Sequence, residues 1–153
     1  MAQPTPWNEA RAGVIIQQFI GTKGAMLPIL HALQAEFGCV PESAKPLVAK
    51  ALNLSRAEVH GIVTFYHDFR AEPAGRRVLR LCRAEACQAM GGAEMAERLL
   101  DRLGISWGET TPDGALTVEA VYCLGLCATA PAGLVDGKVV GRLSEARLAE
   151  VLA

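Results

Sequence analysis

A chain of 153 residues, 51% hydrophobic and 20% charged, holds enough apolar material for a core and too little charge for wholesale disorder. Its 15 basic and 16 acidic residues leave a net charge of −1, so the basic footprint of a nucleic-acid-binding protein is missing. The longest apolar runs fall short of a membrane span, and the N-terminal Met-Ala-Gln-Pro-Thr-Pro-Trp lacks the regions of a secretory signal; a cytoplasmic protein without membrane insertion is expected.

Residues 1–72 read as a helical bundle. Asn8 is placed to cap a first helix with Val14, Ile15 and Phe19 inward, ending at Gly21. A second helix starts near Pro28, keeps Ile29, Leu30, Leu33 and Phe37 at helical spacing, and stops at Gly38. A third runs from about Ser43 with Leu47, Val48 and Leu52 inward, which tolerates Pro46 only in its first turn. The fourth opens on the capping box Ser55-Arg-Ala-Glu58 and carries Val59, Ile62, Val63 and Tyr66 as its apolar stripe.

Pro73 and Gly75 then turn the chain, and residues 73–153 change period. A short β-prone run, 77–82, precedes a helix over 88–103 with Ala96, Leu99, Leu100 and Leu103 on one side. Residues 116–122 form a second strand, and 133–141 a hairpin turning at Asp136-Gly137. Ser144 caps a last helix with Leu148, Val151 and Leu152 inward. The predicted order is β-α-β-β-β-α, an α/β domain behind the helices.

The chemistry lies in two cysteine pairs, Cys82-Arg-Ala-Glu-Ala-Cys87 and Cys123-Leu-Gly-Leu-Cys127. In a β-α-β unit the strands 77–82 and 116–122 run parallel through a right-handed crossover, so Cys82 and Cys123 leave the same, carboxyl end of the sheet. A 2Fe–2S cluster takes two terminal thiolates per iron, which two local pairs supply naturally. Paired cysteines in the cytoplasm more often bind metal or act in catalysis than form structural disulfides, and iron–sulfur ligation is the preferred reading. Structural zinc, a thiol–disulfide exchange site and a 4Fe–4S cluster stand as the alternatives.

The remaining candidates read as structural. Cys39 is expected to be a packed thiol. His31, His60 and His67 are expected within helices as core-edge or interface residues, Met90-Gly-Gly as a close-packing spot, and the aromatic run Phe65–Phe69 as a buried helix end rather than a docking surface.

The pattern Cys-x4-Cys … Cys-x3-Cys within this element order resembles the thioredoxin-like 2Fe–2S ferredoxins, which include the small subunit beside the flavin subunit of respiratory NADH dehydrogenase. Gly61-Ile-Val-Thr-Phe-Tyr66 resembles the family's helix before the ferredoxin domain. Cys82-Arg-Ala-Glu-Ala-Cys-Gln-Ala-Met-Gly91 and Val121-Tyr-Cys-Leu-Gly-Leu-Cys127 are most similar to the gamma subunit of NAD-dependent, molybdenum-containing formate dehydrogenases. The resemblance implies an N-terminal helical docking region (1–72) and a thioredoxin-like domain (73–153) with Cys82, Cys87, Cys123 and Cys127 as ligands of one 2Fe–2S cluster. It also implies a partner subunit with FMN and NAD sites, and a catalytic subunit with the molybdenum cofactor. This chain would then be a non-catalytic electron-transfer subunit. The equivalent subunit of NADH dehydrogenase or of an NAD-linked hydrogenase is the nearest alternative, and a thioredoxin-like thiol redox enzyme or sensor the alternative of another class.

Overall fold

The computed structural model describes residues 5–152, and the chain divides between Pro73 and Ala74 into two compact units. The first is helical. Helix α1 (Glu9–Gln17) starts where Asn8 Oδ1 accepts the Arg11 N–H at 2.9 Å, and it buries Ala12, Ile15 and Ile16. Val14, expected inward, faces out: two residues from both Ala12 and Ile16, it is turned to the opposite side at about 100° per residue. The helix also ends well before Gly21.

Helix α2 (Met26–Phe37) takes Pro28 into its first turn, buries Ile29, Leu30, Leu33 and Phe37, and ends at Gly38 in the left-handed conformation, φ 75°. The Trp7 ring meets Phe37 edge-on, centroids 4.9 Å apart. Helix α3 (Ala44–Leu52) accepts Pro46 in its first turn and stops at Asn53, also left-handed. Its main buried positions are Ala44, Lys45, Val48 and Ala49, with Leu47 and Leu52 only partly covered. Buried Lys45 is neutralised by Glu42 and donates to His60 Nδ1 at 3.0 Å, which gives that histidine a structural task.

Helix α4 (Arg56–Phe65) begins with the capping box: Ser55 Oγ accepts the Glu58 N–H and the Glu58 carboxylate accepts the Ser55 N–H. Val59 and Val63 are buried. The chain leaves the helix at Phe65, so His67 lies beyond it and Tyr66 adopts extended backbone instead of continuing the stripe. The expected burial of this end holds only for Phe69; Phe65 is 73% exposed and Tyr66 40%.

The second unit is built on a four-stranded sheet. In chain order it comprises β1 (Arg77–Cys82), α5 (Glu85–Ala89), α6 (Gly92–Leu103), β2 (Leu116–Val121), β3 (Gly133–Val135), β4 (Lys138–Val140) and α7 (Glu145–Leu152). The sheet order is β2-β1-β3-β4; β1 and β2 are parallel, and β3 is antiparallel to both β1 and β4. Leu79, Leu81 and Val118 of the sheet form one core with Met95, Ala96, Leu99 and Leu100 of α6 and Leu148 of α7. The hairpin turns at Asp136 (φ 51°) and Gly137 (φ 81°), the double left-handed geometry that fits strand twist. Asp136 also fastens this turn to β1, accepting from Val78 N–H at 2.9 Å and Arg77 Nε at 3.0 Å.

The expected single helix over 88–103 is two. Gly91, at φ 82°, breaks it after Met90, and a separate helical turn forms upstream. Cys87, just outside the helix expected over 88–103, therefore sits inside α5.

Candidate metal centre

The parallel register pairs Cys82 with Val121, the last residues of β1 and β2. Arg83 N–H still reaches Val121 O at 2.8 Å, so the chain leaves β1 close to the segment Tyr122-Cys123. Cys82 and Cys87 are buried, whereas Cys123 and Cys127 are exposed, and all five thiols of the chain are free of disulfides. Cys127 opens a 3-10 turn, Cys127–Thr129. Ala84, Val121, Leu124, Leu126, Ala130 and Ala132 give the buried pair an apolar surround.

Cys82 is the meeting point. The Ala84 N–H of its own loop, the Cys87 thiol, and the Cys123 and Leu124 N–H groups of the other loop all act to favour the Cys82 thiolate. Burial pushes the Cys82 thiol up, but these donors outweigh it and leave the group below its ordinary value. The Cys87 thiol is held above the ordinary value, first by burial and then by its bond to Cys82; the neighbouring Cys82 and Cys127 charges act the same way, against the Ala132 N–H. Cys123 takes a φ of 76°, rare for a side-chain-bearing residue, and Gly125 follows at 72° with its N–H 3.4 Å from Cys123 Sγ. A left-handed turn of this kind gathers successive N–H groups into a nest for an anion.

The residues present fit a 2Fe–2S group by donor chemistry. The two cysteine segments leave one end of the sheet, and N–H groups near their sulfurs are what tune a thiolate-bound cluster. Among the described residues no three His, Cys, Asp or Glu side chains close on one point suited to a single ion; a two-iron cluster shares its thiolates between two metals. Bound there, the group would supply one-electron transfer. The chain's own residues hold the thiolates, keep water from the inner pair, and leave the outer pair at the surface.

The sequence profile of the thioredoxin-like [2Fe-2S] ferredoxins matches residues 12–153. The chain belongs to this family. A related member, one of the subunits of an NADH-quinone oxidoreductase of Rhizobium meliloti (strain 1021), is 40% identical over 130 residues, covering 85% of this chain and 77% of the relative. The HndA subunit of the NADP-reducing hydrogenase of Solidesulfovibrio fructosivorans is 31% identical over 131 residues, 86% of this chain and 77% of its own. Among solved structures, the air-oxidized NAD+-reducing [NiFe]-hydrogenase matches with a TM-score of 0.68 at 27% identity over 83% of this chain. This chain spans only 22% of that hydrogenase chain.

Within this ferredoxin-family chain, the three histidines and Cys39 belong to the helical unit, and the two cysteine pairs to the other. His31 stacks near Phe69, ring centroids 4.9 Å apart, and Cys39 is a buried thiol raised by burial and the Glu72 charge. Ala132 carries no clear sequence signal, since it acts through its main chain. Gly92 lies in the close-packing spot expected at Met90-Gly-Gly, where a Cβ would stand 2.6 Å from the Cys87 carbonyl oxygen.

No helix among the described residues is long and apolar enough to cross a membrane.

Proposed function

We propose that this chain is the 2Fe–2S electron-transfer subunit of an NAD-linked oxidoreductase complex, with Cys82, Cys87, Cys123 and Cys127 as the cluster's ligands. The observation that carries this is the parallel register of β1 and β2, which sets Cys82 opposite Val121, with Arg83 N–H on Val121 O at 2.8 Å, so that both cysteine segments leave one end of the sheet. Family membership supplies the cluster type. The chain exchanges single electrons with a flavin-bearing, NAD-binding partner subunit, whose FMN handles the two-electron chemistry of the nicotinamide. The relatives named as NADH-quinone oxidoreductase and hydrogenase subunits support that class of partner.

Within the class, the complex is a cytoplasmic NAD-dependent formate dehydrogenase whose catalytic subunit carries the molybdenum cofactor. The support is local, in Cys82-Arg-Ala-Glu-Ala-Cys-Gln-Ala-Met-Gly91 and Val121-Tyr-Cys-Leu-Gly-Leu-Cys127. A second reading, a subunit of an NADH dehydrogenase or an NAD-linked hydrogenase, is favoured by the names of those same relatives. Identifying the proteins that co-purify with the tagged chain decides between them. Formate-dependent NAD reduction by the isolated complex supports the first, and NADH oxidation or hydrogen-dependent NAD reduction without formate activity supports the second.

The helical unit, residues 1–72, serves as the docking region, since helices α1 to α4 form a core of their own and none supplies a thiol to the cysteine pairs. The exposed Phe65 and Tyr66 at the end of α4 give that unit an apolar contact.

A further inference from the structure

Gly92, the first residue of α6, is buried, and its place in the fold is a matter of space. A Cβ there would stand 2.6 Å from the Cys87 carbonyl oxygen, 3.2 Å from its carbonyl carbon and 3.4 Å from Pro131 Cβ. The two closest atoms are backbone of α5 and cannot swing aside like the tip of a long side chain. Gly91 beside it differs in kind: its φ of 82° is what demands glycine, and its nearest neighbour would be the Glu94 carboxylate at 4.0 Å.

Pro131 leads into Ala132, and Ala132 grips both cysteines of the first pair. Its carbonyl accepts the Cys82 N–H at 3.0 Å, and its own N–H favours the Cys87 thiolate. The bare face of Gly92 thus lies between the two parts that must close on each other, the Cys87 main chain and the segment carrying its N–H donor.

We propose that Gly92 is a positioning residue of the metal centre, whose missing side chain lets Cys87 and Pro131-Ala132 approach closely enough for the Ala132 N–H to bond the Cys87 sulfur. The inference rests on Cys87 being a cluster ligand. An N–H directed at a ligating thiolate favours the more negative, reduced cluster, so removing it lowers the potential.

The test is Gly92→Ala in the full-length protein, purified anaerobically, read by iron content, melting temperature, the EPR g values of the reduced cluster and its midpoint potential. The expected result is a loaded protein with altered g values and a potential shifted to more negative values. A loaded Gly92→Ala protein with wild-type g values and potential overturns the proposal. Should Gly92→Ala fail to fold or load, Ala132→Pro decides, because it removes the N–H while Gly92 stays bare, the ring Cδ standing where the hydrogen was. A negative shift supports the proposal, and an unchanged potential overturns it. Cys87→Ser separates the two levels: a wild-type spectrum there refutes the ligand reading itself, whereas a changed spectrum beside an unaffected Gly92→Ala refutes only the role of Gly92.

Discussion

The Cys123 main-chain N–H stands near enough to the Cys82 sulfur to favour its thiolate, although the chain reaches Cys123 only after two helices and a second strand. The parallel register of β1 and β2 produces this proximity, because it sets Cys82 opposite Val121 and brings both strand exits to one end of the sheet. Close approach then depends on the left-handed backbone at Cys123, at φ 76°.

The thiol assignment predicts an asymmetric mutation series. Serine in place of Cys82, Cys87, Cys123 or Cys127 should lower iron content or change the EPR spectrum, since oxygen replaces a thiolate ligand. Cys39→Ser should leave the spectrum unchanged, because Cys39 is buried within the helical unit. A bleached Cys39→Ser protein would show that the ligands have been misassigned.

The capping box gives a prediction about stability alone. Ser55→Ala removes the acceptor of the Glu58 N–H and the hydroxyl that donates to its carboxylate, which costs about 1 kcal/mol. Urea unfolding followed by far-UV circular dichroism should detect this loss, with Ser55→Thr recovering most of it. The cluster's EPR spectrum should not change.

Much of the fold was legible because it rests on local rules. The Ser55 box, the Asp136-Gly137 turn and the Gly38 stop each follow from chemistry within a few residues, and each forms as expected. The misreadings come from placing residues inward by apolarity alone. Val14 stands two positions from Ala12 and Ile16, which turns it to the far side of α1, and Phe65 ends its helix exposed while Phe69 is buried. The break at Gly91 was hidden because two adjacent glycines meet different demands, one of conformation and one of space. For the site, the side-chain donors were visible as spacing, while the main-chain donors of Ala132, Cys123 and Leu124 leave no mark in a sequence.

The Asp136 carboxylate predicts a pH dependence. Burial alone would raise it, but the Val78 N–H and the Arg77 guanidinium hold it below its ordinary 3.8. A depressed carboxylate contributes stability that is present above the unfolded value and lost as pH falls through the folded one. Asp136→Asn keeps the left-handed turn, so at neutral pH it should cost no more than about 1 kcal/mol through the partly exposed Arg77 pair. The difference from wild type should begin to shrink below pH ~4, where the unfolded chain's aspartate takes up its proton, and vanish once the pH has passed the lower folded value. A mutant deficit that stays constant down to the acid limit would contradict this origin.

Deletion of residues 1–72 tests the docking role. The remaining chain keeps all four thiols of the two pairs, and the deletion should weaken co-purification with the flavin-bearing partner. Pull-down with and without the helical unit measures this, and equal recovery of the partner would refute the role.

The central claim is that two distant cysteine pairs together hold an iron–sulfur cluster. Combined iron, acid-labile sulfide and zinc analysis of the anaerobically purified full-length protein, with EPR on the reduced sample, tests it most directly. The account predicts a reddish-brown protein with about two irons and two sulfides per chain and an EPR signal that appears on reduction. A colourless protein carrying zinc, with no sulfide and no signal, would contradict it.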